Sequence, residues 1–258
     1  MLLHIGVFHL DLDSQKKTPW HAIAPRTRLL CILLLVFAST LTPNGQWQTW
    51  GIYALGLLCL IVLSRVTLGT LLKRAAVEFA FVGVVLLGTL FREGGETLWS
   101  WGFLKITTEG LTVLGSVTLK VLLSLLALNL LTLTTSVSAL LNALIALRVP
   151  PLLVATLASM YRYISVLARE FNALRRAAAS RNLAGGDRWQ RFVLGNMMGT
   201  LFIRTYERGE RVYRAMLSRG YQGVPVVEDV PSLGRRDRLA LTLTVLWLLL
   251  GQAISLGN

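Results

Sequence analysis

Long apolar runs recur along the 258-residue chain, each bracketed by charged or turn-forming residues. A helix that crosses about 30 Å of hydrocarbon takes about 20 residues at 1.5 Å each. Five runs are candidates. The first, Leu29–Leu41, gains length if Arg26 and Arg28 snorkel, and Pro43-Asn44-Gly45 ends it. The second is Trp47–Ser64, with Trp47 and Trp50 as interfacial anchors. Val77–Leu90, Leu111–Leu133 and Leu239–Leu256 complete the set.

Between Thr135 and Gln222 the pattern changes to one that suits helices, yet is neither apolar enough to span nor polar enough for a solvated linker. It reads as three amphipathic helices. Ser136 or Ser138 caps a short first one, which Pro150 and Pro151 terminate after Leu147. The second runs from Pro151 to about Arg181, and the third from about Arg188 to Arg219, closed by Gly220. On the third, Phe202, Tyr206, Gly209, Tyr213 and Met216 follow at steps of four, three, four and three, a single helical stripe. Such a stripe is a packing or binding surface, and Gly209 within it permits a close helix crossing. Beside it Glu207 and Glu210 each precede an arginine by four residues, the favourable order.

Composition makes the bilayer the solvent: 54% of residues are hydrophobic and 15% charged. Charge then orients the chain. Arg65, Lys73 and Arg74 lie between the second and third runs, whereas the turn after the first carries no charge. Lysine and arginine are retained on the cytoplasmic side, so the N-terminus is expected inside and the C-terminus outside. Arg92–Glu109 is then external, with Trp99 and Trp101 near the interface. From Arg148 to Arg238 sixteen arginines meet seven acids, +9 of the net +13, and this block is expected to be cytoplasmic. No recognition motif for nucleic acid accompanies it.

Catalytic patterns are missing. No Gly-Lys dipeptide offers a phosphate cradle, and no Gly-x-Ser-x-Gly, His-Glu-x-x-His or Cys-x-x-Cys occurs. His4, His9 and His21, near Asp11 and Asp13, match no standard metal spacing, and Cys31 and Cys59 sit in apolar runs as packing residues. Lys120 lies mid-run, where an unpaired charge costs on the order of 3 kcal/mol, so it is expected to face a protein interface or polar cleft, with Glu78 one candidate partner. The more distinctive feature is a repeated helix ending, Ser180-Arg181-Asn182 and Ser218-Arg219-Gly220. Each puts an arginine ahead of a residue that tolerates the left-handed conformation. One such arginine could simply complement a helix dipole; two copies 38 residues apart suggest a shared task.

Three stretches resemble the transmembrane T components of energy-coupling factor (ECF) transporters, in particular the CbiQ-like proteins of cobalt or nickel uptake. They are Thr18-Pro-Trp-His-Ala-Ile-Ala-Pro-Arg-Thr-Arg-Leu-Leu30, then Met160-Tyr-Arg-Tyr163 through Glu170 to Arg181, and the long segment Phe202–Tyr221. The resemblance implies an all-α polytopic membrane protein, non-catalytic, with about five transmembrane helices and a cytoplasmic coupling domain of three amphipathic helices. Its parts would be an N-terminal tail (1–26), helices one to four (27–134), the coupling helices (135–222), and a linker with the last helix (223–258). It also implies two ATP-binding cassette subunits as partners, each taking one x-Arg-x motif into a groove: Ser180, Arg181 and Asn182 for one, Ser218, Arg219 and Gly220 for the other. Both motifs depart from the commoner Ala-Arg-Gly while keeping the arginine. A substrate-binding CbiM-like membrane subunit, with room for a small accessory one, would hold the metal ion, and the ATPases would hold ATP and Mg, leaving this chain without a cofactor. The location implied is a bacterial or archaeal plasma membrane. A vitamin-transporter T component, and a channel or scaffold needing no ATPase, are the alternatives.

Overall fold

A computed structural model describes residues 18, 20–66, 68–89, 97–101, 104–181, 187–221 and 234–257. They form eight helices and one two-stranded hairpin: α1 (Pro25–Leu41), α2 (Trp47–Ser64), α3 (Leu68–Thr89), β1 (Thr97–Trp101), β2 (Leu104–Thr107), α4 (Thr108–Thr134), α5 (Val137–Ala146), α6 (Pro151–Ser180), α7 (Asp187–Leu217) and α8 (Arg235–Gly257). The chain divides into two compact units, Met1–Ala143 with Pro231–Asn258, and Leu144–Val230.

In the first unit, Pro25 starts α1 where a missing N–H costs no helical bond. Gly45, at φ +91°, turns the chain into α2, a backbone shape open to glycine. α1 packs on α4 and α8, α2 on α8 and α4, and α3 on α4. Ile32, Tyr53, Ala127 and Leu130 are fully buried among them. Two glycines allow α2 and α8 to meet: a Cβ on Gly56 would lie 2.6 Å from Trp247 Nε1, and one on Gly251 2.5 Å from Tyr53 Cε1.

The helical framework matches the polytopic expectation, with three differences. Residues 97–107, expected as an external connection, include an antiparallel hairpin pairing Trp99 with Ile106, Ser100 with Lys105 and Trp101 with Leu104. Its aromatic and β-branched residues favour strands, a signal too short to register beside 20-residue runs. Secondly, among the described residues four helices are long and apolar enough to cross a membrane, α2, α4, α6 and α8, rather than the expected five. α1 has only 17 residues, and α3 carries Lys73, Arg74 and Glu78 in its first half. α6 qualifies because its apolar residues crowd into its first two-thirds, which corrects the reading that nothing between Thr135 and Gln222 is apolar enough to span.

The third difference concerns buried charge. Arg28 does not snorkel; it is 7% exposed. Its Nη1 donates to the carbonyl oxygen of Thr134 at 2.7 Å, its Nε to that of Ile23 at 2.9 Å and its Nη2 to that of His21 at 2.9 Å. Lys120 lies in mid-run by sequence but near one end by register. The Gly45 N–H donates to Ser116 Oγ at 2.9 Å, and the Ser39 and Ser124 hydroxyls are 3.4 Å apart. Lys120 therefore sits about one turn below the α1–α2 turn, and the first eight residues of α4 extend roughly 12 Å past it. Its Nζ lies over the Trp50 ring, 5.5 Å from the centroid. Glu78, the candidate partner, instead accepts a 2.7 Å bond from Asn129 Nδ2.

Candidate functional site

In the second unit α6 and α7 form an antiparallel hairpin. The last turn of α5 closes as Arg148 N–H donates to Ile145 O and Val149 N–H to Leu144 O, with Arg148 at φ +61°. At its other end the Ala139 N–H donates to Ser136 Oγ at 3.3 Å, which selects Ser136 over Ser138 as the cap. Pro151 then opens α6, its ring preset for a helix start. α6 and α7 have 30 and 31 residues, so each is roughly 45 Å long.

Glu170 registers the two helices by accepting from Arg204 Nη1 at 3.0 Å and Arg208 Nη2 at 3.3 Å, arginines one turn apart on α7. Val193, Met197, Leu201, Thr205, Arg208 and Val212 repeat at steps of three and four and are the more sheltered positions of α7. Towards the other end Leu174 and Ala178 of α6 and Val193 and Met197 of α7 line a groove of about 270 Å³ with Arg181 on its edge.

The stripe expected to bind lies beside that seam, not in it. Phe202 is 73% exposed, Tyr206 68%, Tyr213 54% and Met216 39%. Gly209 is exposed too, and a Cβ there would meet nothing within 4 Å, so among the described residues no helix crosses at that point. The stripe is open apolar surface. Glu207–Arg211 at 3.8 Å and the Glu210–Arg214 pair sit on the solvent side, as the spacing indicated.

Both arginines of the repeated ending occupy helix C-caps. After α7, Gly220 N–H donates to Leu217 O and Tyr221 N–H to Met216 O, with Gly220 at φ +83°, the two-bond Schellman closure. Arg219 is the cap residue inside it. Arg181 caps α6. Asn182 lies outside the described residues, as do His4 and His9. The Ser180 and Ser218 hydroxyls donate back to the carbonyl oxygens of Ala177 and Ala215, each at 3.0 Å. Arg181 and Arg219 are exposed, and among the described residues neither forms a salt bridge, unlike Arg204, Arg208, Arg211 and Arg214.

From the Glu170 register, Arg181 lies eleven residues along α6 and Arg219 about thirteen along α7 in the opposite direction. The two caps are therefore roughly 36 Å apart along the hairpin axis. Among the described residues no cluster of His, Cys, Asp or Glu could hold a metal. Cys31 is buried and Cys59 exposed, both as free thiols.

The long apolar helices define a multi-pass membrane protein. Residues 16–229 match the CbiQ family, described as cobalt transport protein, and the chain belongs to that family. It is 32% identical over 221 residues to the energy-coupling factor transporter transmembrane protein EcfT of Thermanaerovibrio acidaminovorans, covering 80% of each chain. The EcfT of Lacticaseibacillus paracasei is 28% identical, with 79% of this chain and 81% of the relative covered. A relative from Methanocorpusculum labreanum, named as a fused cobalt transport protein CbiMQ, is 32% identical over 83% of this chain and 37% of its own length.

Proposed function

We propose that this chain is the coupling subunit of an ATP-driven importer: two ATP-binding cassette subunits each take one of the C-cap arginines, and their closure moves the α6–α7 hairpin. The observation that carries this reading is that each of the two antiparallel helices ends on an exposed arginine. Arg181 directly follows the last residue of α6 and Arg219 stands two beyond the last residue of α7, and neither has a carboxylate partner among the described residues. A separation of roughly 36 Å gives each arginine its own subunit, with no competition for one groove. A guanidinium offers a planar fork to a carboxylate, and lysine does not reproduce that geometry. The flanking Ser180 and Ser218 hydroxyls are engaged by their own helices, so the arginine is the recognised group.

The open stripe of Phe202, Tyr206, Tyr213 and Met216 offers apolar area to a substrate-binding membrane subunit, and the apolar stretch of α6 adds to it. The transported species is a cobalt or nickel ion held by that subunit, a reading supported by the cobalt-transport description of the family and by a relative named as a fusion. ATP and Mg belong to the ATPases, and the membrane is a bacterial or archaeal plasma membrane with the N-terminus inside.

Arg181→Ala and Arg219→Ala are each expected to weaken ATPase association roughly 30-fold or more, equivalent to about 2 kcal/mol, and to lower uptake. Lysine at either site restores part of the loss. Co-purification of the ATPases together with radiolabelled cobalt and nickel uptake measures both effects. If the two alanine variants keep their ATPases and full uptake, the assignment is wrong.

A further inference from the structure

Two helix ends of the first unit, the end of α4 at Thr134 and the start of α8 after Gly234, are tied to the same short segment, Thr18–Leu30. The second unit begins further along, at Leu144 within α5, and ends at Val230, so these are the helices of the bundle that precede and follow it in the chain. On the outgoing side Arg28 Nη1 donates to Thr134 O at 2.7 Å and lies 3.5 Å from Thr135 Oγ1. The Trp20 indole N–H donates to Thr134 Oγ1 at 3.2 Å. The other guanidinium donors are held by the carbonyl oxygens of His21 and Ile23, so Arg28 joins the segment to the helix end rather than merely covering it. On the returning side Asp237 Oδ1 accepts from the Ala24 N–H at 2.8 Å and Oδ2 from the Gly234 N–H at 3.1 Å. Trp20, Arg28 and Asp237 are 2%, 7% and 8% exposed.

The core of the bundle is otherwise apolar, with Ile32, Leu35 and Leu130 buried in it. Buried charges are costly unless held by several partners, and apolar replacements of such groups are often neutral for stability. What the charged groups add is direction. A guanidinium on the last carbonyl of α4 and a carboxylate at the first turn of α8 fix two helix ends in position, each with the charge that its dipole favours.

We propose that Trp20, Arg28 and Asp237 form a clamp that joins the end of α4 to the start of α8 through the Thr18–Leu30 segment, so that motion reaching either helix from the Leu144–Val230 unit is shared by both. They are positioning residues. The inference rests on the coupling function above.

The test uses the complete complex, with its ATPases and substrate subunit, in proteoliposomes, where cobalt uptake and ATP hydrolysis are measured on the same sample. Arg28→Lys keeps the charge and most of the volume but loses the fork; Asp237→Asn is nearly isosteric. Both should keep their ATPases while uptake per ATP hydrolysed falls at least about fivefold, the lower end of a typical coupling free energy. The double variant should be no worse than the weaker single, because both act on one device. Trp20→Phe, which removes one donor and keeps a smaller aromatic ring, should fall between. Unchanged uptake per ATP in either intact variant overturns the clamp, as does a loss that follows protein abundance or melting temperature at constant ratio. Should Arg28→Lys fail to accumulate, Asp237→Asn alone decides. A parental complex lacking ATPases or ATP-dependent uptake would overturn the coupling function and the clamp together; parental uptake with unaltered variants overturns the clamp only.

Discussion

Gly209 and Gly251 are both helix glycines, yet they predict opposite outcomes. At Gly251 a Cβ would enter the Tyr53 ring, which is itself fully buried. Gly251→Ala is therefore expected to lower stability by about 1–3 kcal/mol, seen as an earlier melt of the detergent-solubilised protein. At Gly209 the space is open, and removing a helix glycine gains about 0.5–1 kcal/mol. Gly209→Leu should melt no earlier than the parent, while uptake by the assembled transporter falls because the added side chain stands in the docking stripe. Full uptake by that variant would remove the stripe from the interface. Sequence alone marked Gly209 as a place of close approach; only the neighbouring atoms reveal that, among the described residues, the space in front of it is open.

Among helices, one acid matters more than two others of the same type. Glu170 joins α6 to α7 through two arginines and is 25% exposed, whereas Glu207 and Glu210 pair with arginines on their own helix and are 57% and 47% exposed. Exposed pairs contribute about 1 kcal/mol or less, and those within one helix about 0.2–0.5. Glu170→Gln should speed amide hydrogen exchange around Arg204–Arg208, while Glu207→Gln and Glu210→Gln leave the exchange pattern unchanged. Equal exchange in all three variants would mean that the seam is held by its apolar residues alone. The i,i+4 pairs were readable from spacing because a helix fixes such neighbours wherever it lies. The bond from Glu170 to residues 34 and 38 positions away was not, since it depends on how two helices meet.

For the whole molecule, charge asymmetry predicts an orientation. The α1–α2 turn is uncharged, while α3 opens with Lys73 and Arg74. In a background with Cys31 and Cys59 replaced by alanine, Asn44→Cys should react with a membrane-impermeant maleimide in intact cells, and Lys73→Cys only after permeabilisation. The reverse pattern would invert the topology. The same charges explain why α3 misses the composition of a membrane span despite its 22 residues: Lys73, Arg74 and Glu78 fall in its first half.

Local physics made much of the chain readable in sequence: the apolar runs, Pro151 as a helix start, Gly220 as a helix stop, and the i,i+4 pairs of α7 all depend on residues near one another along the chain. The two arginine caps were visible for the same reason. Tertiary structure decided what depends on depth and distance. Lys120 is near the end of the bundle because α4 overshoots the α1–α2 turn, and Arg28 is buried because the end of α4, 106 residues away, supplies the carbonyl it holds. The separation of Arg181 from Arg219 is likewise set by the antiparallel register at Glu170, which no single helix encodes.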